Sequence, residues 1–212
     1  MKKTLIATLF IAVSATAFSQ SEKYTKAMTT AIAQIDSAKS NEDLLSLSAT
    51  FERVGDAEKT QWLPYYYAGL CEALYAFRKN DMPNNDQYAD RTSQLVSKAE
   101  ELEKNNSEIS VLKSMVATLH MMVDPANRWQ QYGGQVQSEI ENAKKEDPAN
   151  PRPYYLQGTN LRFTPEQFGG GCANAKPILE EAIKKYDAFK PATALHPNWG
   201  KPMVEQTLAG CK

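Results

Sequence analysis

The residues of this chain that could do chemistry are few: three cysteines, two histidines and one run of three glycines. That run lies in "FGGGCANAK", so Cys172 opens whatever helix follows Gly169, Gly170 and Gly171, while Cys211 is the penultimate residue. Cys71 sits inside the apolar run "YYYAGLCEALYAF" and is expected to be a small buried side chain. Cys172 and Cys211 are expected to pair. A disulfide between them closes a loop of about 40 residues and adds roughly 4 kcal/mol by loop entropy. The rival reading is a reactive Cys172 thiolate, its pKa lowered by a helix N-terminus, and no CxxC partner supports it.

The three glycines lead into a helix start, where backbone N–H groups favour anions. The GxxxxGK[ST] spacing of a phosphate loop is missing, however, and no strand precedes, so a sharp turn between helices is expected. His120, in "LHMMVD", and His196 stand far apart and lack the HExxH spacing that sets two ligands on one helix face. No GxSxG elbow occurs. The pairs Glu100-Glu101 and Glu180-Glu181 lie beside lysines at mid-helix and read as solvated surface. The expectation is no catalytic residue, no metal site, no cofactor, and a protein that is not an enzyme.

Composition narrows the partners. Lys and Arg number 24 against 25 Asp and Glu, and no basic block stands out, so nucleic acid is not expected. "MKKTLIATLFIAVSATAFSQ" has the basic start, short apolar run and small residues of a secretory signal peptide, with the cut expected after Ser19. No later stretch is apolar for long enough to span a bilayer. These features predict an exported protein, periplasmic or secreted, whose residues 20–212 form one domain with a continuous core.

The elements that must position these residues are helical. "YTKAMTTAIAQIDSA", "SEISVLKSMVATLHMMV" and "AKPILEEAIKKYDAF" place apolar residues three and four apart, with Asn- and Pro-rich breaks between such segments. "PYYYAG" at 64–69 returns as "PYYLQG" at 153–158, and a diverged copy lies between them. In each copy a first-helix residue stands four before a small one: Tyr65 and Gly69, Ser110 and Ser114, Tyr154 and Gly158. The small residue is expected to admit the paired helix closely. Second helices carry their own four-and-three spacing, as in Thr92, Val96 and Ala99, or Val136, Ile140 and Ala143, or Ala175, Leu179 and Ala182.

These motifs, closed by "DPAN" at 147–150, resemble the tetratricopeptide repeat family. The resemblance implies an all-α, TPR-like stack of about four antiparallel hairpins. Their expected spans are near 22–58, 62–104, 107–146 and 151–187, with a C-terminal cap at 191–212. The prolines of "EDPANPRPYYLQG" then become a helix stop and the first turn of the next helix, where a missing N–H costs little. Three turns inside the hairpins, "KNDMPNNDQYAD", "DPANRWQQYGG" and "FTPEQFGGG", are longer than the family's. The last stretch also resembles exported, largely uncharacterised bacterial proteins of this type. In it, Trp199 is expected to anchor a short helix that Cys211 staples back.

Proteins resembling this family present one helix face to a partner. The corresponding stripe here is Tyr66, Leu70 and Leu74, then Val111, Met115 and Leu119, then Tyr155, Thr159 and Arg162, read either as an apolar groove with one charged anchor or as core residues of a tightly curved domain. The expected function is an exported scaffold for a protein or peptide, with the partner's identity and the oligomeric state left open. The alternative is a glycan- or small-molecule-binding protein that stacks its ligand on exposed tyrosines and on Trp62, Trp129 and Trp199.

Overall fold

A computed structural model describes residues 22–211; the expected leader and its expected cleavage position lie outside them. Among the described residues no strand occurs and nine α-helices follow in order. They are α1 (Glu22–Ile35), α2 (Asn41–Glu58), α3 (Trp62–Lys79), α4 (Asn85–Leu102), α5 (Ser107–Met122), α6 (Pro125–Glu146), α7 (Arg152–Phe163), α8 (Cys172–Ala188) and α9 (Lys201–Ala209).

Local chemistry sets many of the boundaries. Ser40 and Asp43 form a capping box at the start of α2, the Asp43 N–H donating to Ser40 Oγ at 3.1 Å and the Ser40 N–H to Asp43 Oδ2 at 2.9 Å. Lys59 and Asn80 close α2 and α3 in the left-handed conformation. At the proline-rich joint, α6 stops before Asp147 and α7 starts with proline in its first turn. Asn150 holds that joint shut: it accepts from the Arg152 N–H at 3.0 Å and donates to Ser107 Oγ at 2.9 Å.

Short connections make successive helices antiparallel neighbours. Contacts also link α1 to α3, α3 to α5 and α5 to α7, so the odd-numbered helices share one face of the stack. The small residues act as the repeat predicts. A Cβ on Gly158 would lie 2.6 Å from Leu179 Cδ2 of α8, one on Gly69 would lie 3.4 Å from Val96 Cγ2 of α4, and Ser114 Oγ donates to the Val136 carbonyl of α6 at 3.3 Å. Val96, Ala99, Val136, Ile140, Ala143, Ala175, Leu179 and Ala182 are all buried.

The alternation gives the odd-helix face two ends. Turns after α1, α3 and α5 and after α7 collect at one edge, and the joints after α2, α4 and α6 collect at the other. The N-terminal halves of the odd helices therefore make a joint half of the face, and their C-terminal halves a turn half.

Candidate functional site

The joint half is filled by the chain itself. Residues 189–200 form a strap without regular helix between α8 and α9, and it crosses back to α3. Leu195 and Trp199 of the strap join one core cluster with Tyr66, Tyr67 and Leu70 of α3 and Val111 and Met115 of α5. The Tyr67 hydroxyl donates to the Leu195 carbonyl at 2.9 Å, and the Trp199 indole N–H donates to Tyr66 Oη at 2.7 Å. Trp62 meets His196 edge-on at 6.0 Å between centroids.

Beneath the strap lies a buried polar network. The Tyr66 hydroxyl donates to Glu108 Oε2 at 2.9 Å, while Glu108 Oε1 accepts from Arg152 Nη1 at 2.7 Å and Asn150 Nδ2 at 2.8 Å. Arg152 has no exposed surface, and its guanidinium stacks on Phe189 at 5.0 Å and on Trp199 at 5.4 Å. Burial pushes the Tyr66 hydroxyl well above its usual range and raises the Glu108 carboxyl against the opposing pull of Arg152 and Tyr66.

This arrangement corrects the predicted groove. Tyr66, Leu70, Val111 and Met115 are core residues with the strap in the same cluster, and Leu119 turns aside to pack with Ala76 and Ala89. The turn half differs. There Leu74, Thr159 and Arg162 are half-buried and Phe163 at the end of α7 is 75% exposed, whereas Tyr155, in the joint half of α7, is partly buried against the core that holds the strap. Arg162 Nη2 donates to the Gly210 carbonyl at 2.8 Å, and its guanidinium carbon lies 5.6 Å from the Phe163 ring centroid. Phe168 and Trp129, in the turn after α7 and the first turns of α6, are 71% and 57% exposed. The three tryptophans do not share one platform, because Trp199 is buried, Trp62 half-buried and Trp129 out at the turn edge.

The remaining sequence candidates have structural work. His120 Nδ1 lies 2.7 Å from Asp86 Oδ1, Arg128 donates to the same carboxylate, and Tyr132 stacks on the imidazole at 5.1 Å, so the cluster ties α4, α5 and α6 together. Hydrogen bonds from Arg128 and His120 hold the Asp86 carboxyl below its ordinary value. The glycine run is a turn: Gly169 and Gly171 have φ of 81° and 87°, and all three amides donate to loop or α7 carbonyls, which leaves no anion nest. Cys172 and Cys211 are disulfide-bonded with Cα atoms 5.2 Å apart, and Cys71 is free and buried, its thiol pushed up by that burial. Among the described residues no cluster of three or more His, Cys, Asp or Glu could hold a metal ion. No described helix is long and apolar enough to cross a membrane.

Sequence reasoning overlooked Glu108 and Arg152. The signal was available: both stand six residues before the small residue of their repeat copy, where the first copy has Leu63. Opposite charges at equivalent places of consecutive copies, each within an apolar face, announce a buried pair.

Two layers of antiparallel helices with a half-open apolar face define an all-helical fold. No family profile and no curated protein matches the chain. Among solved structures it is similar to the HusA haemophore from Porphyromonas gingivalis, at 35% identity over 89% of this chain and 92% of that one, with a TM-score of 0.80. The chain belongs to the family of that haemophore.

Proposed function

We propose that this protein is an exported, non-enzymatic binding protein that takes haem on the turn half of its odd-helix face. The observation that carries the reading is its likeness to the HusA haemophore along nearly its whole length. The geometry supports it with Phe163 and Leu74 as apolar surface for a flat ring and Arg162 as a partner for a carboxylate. The disulfide fits an oxidising compartment. Titration of haem into the oxidised protein tests the reading. A saturable shift of the haem absorption band is expected, and a spectrum identical to free haem at protein excess would overturn it.

A second reading keeps the stack as a TPR-like scaffold for a protein partner. It is favoured by the exposure of Trp129 and Phe168 along the turn edge, outside the face assigned to haem. Pull-down with native protein and with Trp129→Ala, compared side by side, would show whether that edge captures a partner.

A further inference from the structure

Arg152 is held in an unusual way for a fully buried cation. Its Nη1 donates to Glu108 at 2.7 Å and to Asn150 Oδ1 at 3.2 Å, while Nε and Nη2 meet no acceptor. The Tyr186 hydroxyl, also buried, has none either. Donors buried without acceptors oppose the closed arrangement, and Nε with the adjoining terminal nitrogen is an edge that arginine offers to a carboxylate. The rings of Phe189 and Trp199, at the two ends of the strap, lie against the guanidinium.

The strap is held to the face by two buried side chains, Leu195 and Trp199, and has little regular structure of its own. Its residues 189–200 have no helix to hold them, and Pro191 and Pro197 remove two backbone donors. Two hydrogen bonds, from Tyr67 to Leu195 and from Trp199 to Tyr66, fasten it to α3. The far end is secured separately, by α9 and the Cys172–Cys211 bond.

We propose that the strap opens and that Arg152 beneath it is a carboxylate-binding site, taking the acid group of an apolar ligand through its unpaired donors. This rests on reading the odd-helix face as the ligand face, and it extends that face from the turn half into the joint half. Arg152, Tyr155, Thr159 and Arg162 share one stripe of α7, so a ligand on the face meets an arginine at either end. The site is distinct from Arg162, which already spends one donor on Gly210. As Glu108 is raised by burial, it can take up a proton when a ligand carboxylate takes over the guanidinium.

Arginine modification by phenylglyoxal, mapped by mass spectrometry on the oxidised full-length protein, tests the opening. Arg152 is expected to react more slowly than Arg162, yet at least about tenfold faster than global unfolding permits. Trp199→Ala should speed it by about tenfold again with helicity and disulfide unchanged. If that variant does not fold, Trp199→Phe, which deletes the bond to Tyr66 and keeps a ring, should speed it by about threefold. Modification of Arg152 that tracks unfolding in native and variant protein alike would overturn the opening.

The ligand arm uses haem and its dimethyl ester, which lacks free carboxylates. Haem should slow modification of Arg152 and the ester should not. Haem that binds and leaves the Arg152 rate unchanged sinks the site and spares the haem reading. Should haem fail to bind at all, dodecanoate replaces it: protection then upholds the site while the haem reading falls, and no protection ends both.

Discussion

At the joint half of the odd-helix face, Tyr66, Val111 and Met115 are core residues under a strap anchored by Leu195 and Trp199. Farther along the same helices, Thr159 and Arg162 are half-buried and Phe163 stands in solvent. One repeat supplies both halves. The difference comes from what the chain adds after the last hairpin, a segment that returns to α3 across more than a hundred residues of sequence and covers only the nearer half. Groove and core are thus not properties of the stripe itself; they depend on whether another piece of chain reaches it.

The buried pair is where the joint half is most vulnerable. Glu108→Ala leaves Arg152 without its carboxylate partner in a site with no exposure, and urea unfolding should show a loss of about 3–5 kcal/mol. A loss below about 1 kcal/mol would mean that the joint half is wetter and looser than its geometry indicates. Close behind comes the staple that secures the strap's far end. Removing the disulfide with Cys172→Ser and Cys211→Ser frees a loop whose ends are 39 residues apart, at a cost of about 4 kcal/mol measured by the same unfolding curves.

Packing between paired helices gives a smaller and sharper contrast. Gly158→Ala drives a methyl to 2.6 Å from Leu179 and should cost about 1–3 kcal/mol. Gly133, in the middle of α6, has nothing within 4 Å of where a Cβ would stand, so Gly133→Ala should stabilise the protein by about 0.5–1 kcal/mol. Opposite signs at two helical glycines would confirm that only the first is there for a close approach. Least costly to the fold is Phe163→Ala at the turn half. Unfolding should move by no more than about 0.5 kcal/mol, while haem affinity should fall by about 1–2 kcal/mol if the ring stacks there.

Much of the fold was legible because it is written in local spacing. Tyr65 with Gly69, Ser110 with Ser114 and Tyr154 with Gly158 predicted the close helix pairs, and Gly69, Ser114 and Gly158 do meet α4, α6 and α8. Trp199 as an anchor ahead of a short terminal helix was legible too, from the prolines that stop a further hairpin. The candidate site was legible only in part. Helical periodicity says which residues share a stripe, and Leu74, Thr159 and Arg162 of that stripe are half-buried. It says nothing of a distant segment folding over that stripe, and so Tyr66, Leu70, Val111 and Met115 carry the groove spacing yet lie in the core. Leu119 failed for another reason: the same helix that faces the strap also leans on α4, and its side chain joins Ala76 and Ala89 instead.

Haem is proposed to lie on the turn half of the odd-helix face. Nuclear magnetic resonance of isotope-labelled protein during a haem titration tests it most directly, because ferric haem broadens the signals of whatever it touches. The account predicts broadening of Phe163, Arg162, Thr159 and Leu74, with Lys113, Gln135 and Ser138 unaffected in the outer groove of about 350 Å³ beside α5 and α6. Broadening centred on that outer groove, or none anywhere at saturating haem, would contradict it.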